Sequence, residues 1–115
     1  MIAYSYDLDM TPGERPLRIH LNQHDEDFQL LLRLFSDRGD LDIKSGTTAK
    51  IRGTTPGGQS YIANASISSG VVTVIGDENM CDAAGIGVYE ICLTKDNKEL
   101  YSSNFFVIVE RIAKD

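Results

Sequence analysis

An all-β domain is what this sequence predicts. Three observations carry that expectation: apolar residues recurring at every second position, short alternating segments bounded by Gly, Asn and Ser turns, and a single stretch with helix signals. At 115 residues the chain suffices for one domain with one core, read here as 1–115. Hydrophobic content of 42% with charged content of 24% is that of a globular chain rather than a disordered one.

Leu17, Ile19 and Leu21 alternate with Arg18, His20 and Asn22, the period of a half-buried strand. Phe28 to Phe35 is the strongest apolar run, with Leu30, Leu32 and Leu34 on one face and Gln29, Leu31, Arg33 and Phe35 on the other. A helix of two turns competes there, but the length and the flanking Ser36-Asp37-Arg38-Gly39-Asp40 turn favour a strand. Ala49-Ile51-Gly53, Ile62 to Ile67 and Val71 to Ile75 follow, separated by Gly57-Gly58 and Ser68-Ser69-Gly70, which is hairpin chemistry. Asp77 to Ala84 is the helical piece, capped by Asp77 and ended at Gly85. Tyr89, Ile91 and Leu93 then face one way and Val88, Glu90 and Cys92 the other. Val107 and Val109 continue the alternation beyond the Lys95-Asp96-Asn97-Lys98 turn, so the chain is expected to close on a hairpin. About seven short strands at this spacing predict an immunoglobulin-like antiparallel β-sandwich with one short helical turn. Leu30, Leu32, Ile91 and Val107 hold the inward phase and are the expected core.

Charge and motifs narrow the function. A net charge of −6 argues against nucleic acid as a partner, since phosphate contacts need clustered Lys and Arg. Met1 to Asp7 has neither the basic start nor the apolar run of a secretory signal, and no stretch approaches the roughly 20 apolar residues needed for membrane insertion. His20 and His24 in an extended segment share a face about 13 Å apart at ~3.3 Å per residue, too far for one metal ion. Asp37, Asp40 and Asp42 suggest calcium, but their spacing is not that of an EF-hand loop, and a solvated turn is the favoured reading. No cofactor is expected. Ser5, Ser102 and Ser103 lack a nucleophile elbow, Glu26 and Asp27 are expected to face solvent, and Cys81 lacks a basic neighbour, so no enzyme is expected. Cys81 and Cys92 are read as two buried free thiols in preference to a disulfide. Tyr89, Tyr101 and Phe105 are read as packing residues. Tyr4, Tyr6, Tyr61 and Phe106 are the candidate partner-binding residues; Tyr61, beside Gly57-Gly58, suits stacking on a sugar or a protein, with core packing the favoured alternative.

Gln23-His24-Asp25 before a long strand, Ile51-Arg52-Gly53-Thr54, Met80 with Ala84-Gly85, and Ser103-Asn104-Phe105 with Val109-Glu110 occur in one order. Together, from about Tyr4 to Glu110, they resemble the N-terminal domain of the phage baseplate upper protein family. The resemblance implies a small β-sandwich in a phage or prophage tail tip, made in the host bacterial cytoplasm and joining host-recognition parts to other tail or baseplate proteins. Glu26-Asp27-Phe28 and Thr55-Pro56-Gly57-Gly58 depart from the pattern, where family members often carry an Arg-containing polar segment and Lys-Pro-Asp-Gly. The longer C-terminal region by which larger members bind receptor-binding proteins has no counterpart here, so that function is not carried over. Open sheet edges are expected at Met1 to Leu8 and Asn104 to Ile112, and with repeated copies around an axis they predict a homo-oligomer, a closed ring or trimer rather than a fibre. A carbohydrate-binding sandwich touching a host-surface glycan, and an accessory domain beside an enzyme, are the competing readings.

Overall fold

The structure, a computed structural model, describes residues 2–11, 16–36 and 39–111. Its strands are β1 (Ile2–Asp9), β2 (Arg18–Asn22), β3 (Phe28–Ser36), β4 (Gly39–Asp40), β5 (Thr48–Thr54), β6 (Ser60–Ser68), β7 (Val71–Ile75), β8 (Gly85–Lys95), β9 (Lys98–Tyr101) and β10 (Phe105–Glu110), with one 3-10 turn at Glu78–Cys81. They form a single curled sheet in the order β1-β3-β7-β6-β5-β8-β10-β2, with β4 added to β3 and β9 to β8. β6 is where the sheet changes partners: its Ser60 to Ala65 segment pairs with β5, and Ser66 to Ser68 pairs with β7. The core lies within the curl.

Alternation decides what is inside. In β3, Phe28, Leu30, Leu32 and Leu34 are buried while Gln29, Leu31 and Arg33 are not, so the apolar run is a strand. Leu30, Leu32, Ile91 and Val107 are all fully buried, as their phase predicts. Tyr89 fills the centre of the second half, edge-on to Tyr61 with ring centroids 5.8 Å apart and tilted against Phe105 at 6.1 Å. Its space comes from glycine: a Cβ on Gly53 would sit 2.0 Å from the Val88 carbonyl oxygen, and one on Gly87 would sit 2.7 Å from the Tyr89 ring. The turns follow the residues that permit them. Ser69-Gly70 and Asp96-Asn97 all take positive φ, the geometry of tight hairpins, and the Asp77 carboxylate accepts from the Asn79 and Met80 N–H groups to cap the 3-10 turn.

Four expectations need correction. The pairing is not uniformly antiparallel: β1 runs parallel to β3, and β2 runs parallel to β10. A period of two tells which face a residue occupies and says nothing about the neighbour's direction. Second, Asn104 to Ile112 is not an edge, because β10 lies between β8 and β2; the edges of the main path are β1 and β2. Ile112, like Met1, lies outside the described residues. Third, Gly85 does not end the helical turn. Asp82 does, and Gly85, at φ 140°, opens β8. Fourth, the closing hairpin is broken. Cys92 opposes Tyr101 and Tyr89 opposes Phe105, so Glu90 and Ile91 face the three residues Ser102, Ser103 and Asn104, which is a bulge. Ser102 fills it by donating its N–H to the Ile91 carbonyl (2.9 Å) and accepting the Ile91 N–H on Oγ (2.9 Å). Ser103, turned out by the bulge, donates from N–H (3.1 Å) and Oγ (2.7 Å) to the Asp9 carbonyl, pinning the end of β1 across the mouth of the curl.

Candidate functional site

The two edges differ. At β1, the Ile2 N–H donates to the Asp27 carbonyl (3.2 Å) and the Met10 N–H to the Phe35 carbonyl (2.8 Å). In a parallel ladder alternate residues serve one neighbour, so even-numbered residues serve β3, and Ala3, Ser5, Asp7 and Asp9 turn their N–H and C=O groups outward. The Asp9 carbonyl is taken by Ser103. Ala3 and Ser5 are exposed and uncharged, and Asp7 is ion-paired with Arg33 at 3.2 Å. At β2, the Phe106 N–H donates to the Leu17 carbonyl and the Gln23 N–H to the Glu110 carbonyl (both 2.9 Å), so Arg18, His20 and Asn22 face out. Asp25 closes the end of that edge: its Oδ2 accepts the Asn22 N–H (2.9 Å) and its own N–H donates to the Asn22 carbonyl (3.1 Å). β2 is short and carries Arg18 at its start; β1 is longer and has no charged side chain before Asp7.

The outer faces differ as well. Register rows on the β1 side run Ala3-Gln29-Ile75, Ser5-Leu31-Thr73-Ser66 and Asp7-Arg33-Val71-Ser68. The Asp7–Arg33 pair supplies the only charges in those rows. On the β8 side, Val88 opposes Phe106 and Ile86 opposes Ile108, and Ile86 (60% exposed) and Ile62 (70%) stand in solvent. That patch is bordered by the Arg52–Glu90 pair (2.7 Å), the His20–Glu110 contact (3.7 Å) and the Arg52 guanidinium 4.5 Å over the Tyr101 ring. It was missed in the sequence, although outward-phase Ile86 and Val88 were the available signal.

The four candidate partner-binding residues are not brought together. Tyr4 and Tyr6 share the inner face of β1 and are half-buried against the core at the open side of the curl. Tyr61 is 7% exposed and belongs to the core, the packing role that the sequence favoured. Burial, with help from nearby Asp77, pushes its phenol up to about 12. Phe106 is half-buried on the outer face of β10 and lines a cleft of about 550 Å³ with Asp7, Asp9, Leu17, Ser103 and Asn104. His20 and His24 lie apart, His24 in a left-handed turn with its N–H donating to the Cys81 carbonyl (3.0 Å). Asp37 lies outside the described residues, Asp40 pairs in β4, and Asp42 is bonded to Lys44 at 2.6 Å. Among the described residues no group of His, Cys, Asp and Glu is arranged to hold a metal.

Cys81 and Cys92 are both buried free thiols. Burial, reinforced by Asp25 and Asp77, pushes the Cys81 thiol up to about 12, the wrong direction for a nucleophile. Asp82 beside it is spent on structure, its Oδ2 accepting from Thr55 Oγ1 (2.7 Å) and its Oδ1 from the Gly57 N–H (2.9 Å). Among the described residues no helix is long and apolar enough to cross a membrane.

No family model matches the chain, and no curated protein sequence matches it. Among solved structures it is similar to the N-terminal domain of phage TP901-1 ORF48, with a TM-score of 0.74 and 12% sequence identity, over 96% of this chain and 99% of that one. That likeness agrees with the phage N-terminal domain that the ordered motifs from Gln23 to Glu110 resemble. The chain therefore has the fold of the N-terminal domain of phage TP901-1 ORF48.

Proposed function

We propose that this chain is a structural component of a phage or prophage tail baseplate or tail tip, a docking module that joins other tail proteins and associates with further copies of itself. The observation that carries the reading is the shared fold with a phage domain along nearly the whole of both chains. The layout supports it: an open β1 edge, beside outer-face rows of Ala3, Ser5 and Asp7 whose only charges are the Asp7–Arg33 pair, is a feature of a surface that others cover. The functional residues are then Tyr4 and Tyr6 at the edge and Phe106 at the cleft, with Tyr61 acting from inside as a support for Tyr89. Catalysis has no part in this reading. The two halves of the sheet around one core are read as a derivative of the immunoglobulin-like sandwich, with edge strands added in parallel.

Gold-labelled antibody against the chain, applied to phage particles from the host that carries it, should decorate the tail tip. Particles whose tails stay unlabelled while the free chain is detected in the lysate overturn the proposal. A second reading, direct contact with a host glycan, draws on the cleft, where two carboxylates, an amide and the Phe106 ring stand together. Binding to isolated cell-wall glycans that is lost with Phe106→Ala would favour it.

A further inference from the structure

We infer that the β1 edge pairs with the β1 edge of a second copy, antiparallel about a two-fold axis at Ser5. This deepens the self-association in the reading above by naming its surface and register, and it rests on that reading. The outward groups of Ala3, Ser5 and Asp7 need a strand that offers N–H and C=O groups at the same alternation. A second β1 does so. With the axis at Ser5, Ser5 faces Ser5 of the second copy and Ala3 faces its Asp7, so every outward residue finds a partner and no like charges oppose. Moving the axis to Asp7 would set two carboxylates against each other, and moving it to Ala3 would leave Asp7 unpaired.

The same register acts on the inner face. It sets Tyr4 opposite Tyr6 of the second copy, twice over. These rings are half-buried at the open side of the curl, and cross-strand aromatic pairs are among those that stabilise a sheet. Outside, the Ser5-Leu31-Thr73 row of one copy runs into that of the other. For a chain of net charge −6 that contact is favourable ground, since within the rows of Ala3, Ser5 and Asp7 the only charges are the paired Asp7 and Arg33. The carboxylates of the Asp9-Phe35-Asp40 row lie beyond Asp7, away from the axis at Ser5. Head-to-tail pairing of β1 with β2 is the weaker geometry: β2 offers only Arg18 and His20, because Asp25 occupies both groups of Asn22.

Cysteine scanning of the full chain tests the register. Opposed residues of an antiparallel pair lie about 5.5 Å apart at Cα, within disulfide reach, and the native Cys81 and Cys92 are buried. Ser5→Cys should give a covalent dimer on mild oxidation. Ala3→Cys and Asp7→Cys should each give no covalent dimer alone and cross-link when mixed. Ser5→Lys, which sets two ammonium groups against each other without touching the β1–β3 bonds, should weaken the dimer by roughly tenfold or more in light scattering. Oligomers that persist in Ser5→Lys, or that cross-link equally well from all three positions, overturn the β1 pairing and leave self-association standing. A wild-type monomer mass at every concentration up to near-millimolar overturns both. A folded Ser5→Lys variant, checked by circular dichroism, ensures that loss of the dimer is not loss of the fold.

Discussion

At Tyr89 the ring and the hydroxyl have opposite values. The ring is packed between Tyr61 and Phe105 in a space held open by Gly53 and Gly87, whereas the hydroxyl is buried without a hydrogen-bond partner among the described residues. Removing a buried polar atom that has no partner costs little, so Tyr89→Phe should lie within about 1 kcal/mol of wild type at pH 7 by urea titration. A loss clearly above that would mean that the hydroxyl is bonded. Alkali should separate the two proteins. Burial raises Tyr89 above the ordinary 10.0, takes Tyr61 to about 12 and takes Cys81 from 9.0 to about 12. All three are neutral when protonated, so the folded chain holds the proton to higher pH than the unfolded chain. Their contribution is intact below pH 9 and falls as pH rises, the Cys81 and Tyr61 shares being lost by about pH 12 and the Tyr89 share persisting furthest into alkali. Tyr89→Phe removes one of the three and should show a shallower fall above pH 10.

Within elements, parity is the strongest readable quantity, and β1 turns it into an experiment. Tyr4, Tyr6 and Leu8 face β3 with their amides, and Ala3, Ser5 and Asp7 face outward. Hydrogen exchange on dilute chain should therefore alternate along β1, slow at even positions and fast at odd ones. Uniform protection would mean that the edge is covered even in the monomer; uniform exchange would mean that β1 is detached. Parity is also what the sequence carried well. The phases of β2, β3 and β8, the Ser69-Gly70 and Asp96-Asn97 turns and the Asp77 cap were all legible, because each depends on residues adjacent in the chain. The parallel placement of β1 and β2 was not, since nothing in Ile2 to Asp9 says that Phe28 to Phe35 will lie beside it in the same direction. Nor was the bulge: Ser102 and Ser103 read as ordinary polar positions until the Ile91 amide and the Asp9 carbonyl come to meet them. Candidate site residues fared by the same rule. Tyr4 and Tyr6 sit at an edge because β1 is first in the sheet order, whereas Tyr61 went inside with the phase of β6.

Across the molecule, the pairings that complete the sheet join distant parts of the chain. β2 finds β10, setting Arg18 beside Phe106, and Ser103 reaches back to Asp9. Local hairpins are present (β5 with β6, β6 with β7, β8 with β9), yet none can bury its inner face until the other half of the curl arrives. Chain closure over such separations must be met before its contacts stabilise anything, and domains dominated by non-local strand pairing fold in roughly milliseconds to seconds. The chain should follow that rule, with a single refolding phase in stopped-flow fluorescence of its tyrosines. Substitutions divide by when their contacts form. Ser102→Ala strips the acceptor from the Ile91 N–H at a bulge that takes shape only when β10 is in place against β8, so it should mainly speed unfolding. Removal of apolar bulk at Val72, inside the β6–β7 hairpin, should slow folding as well. Sub-millisecond refolding, or a Ser102→Ala effect confined to the folding rate, would place the closure of the curl early and reverse that order.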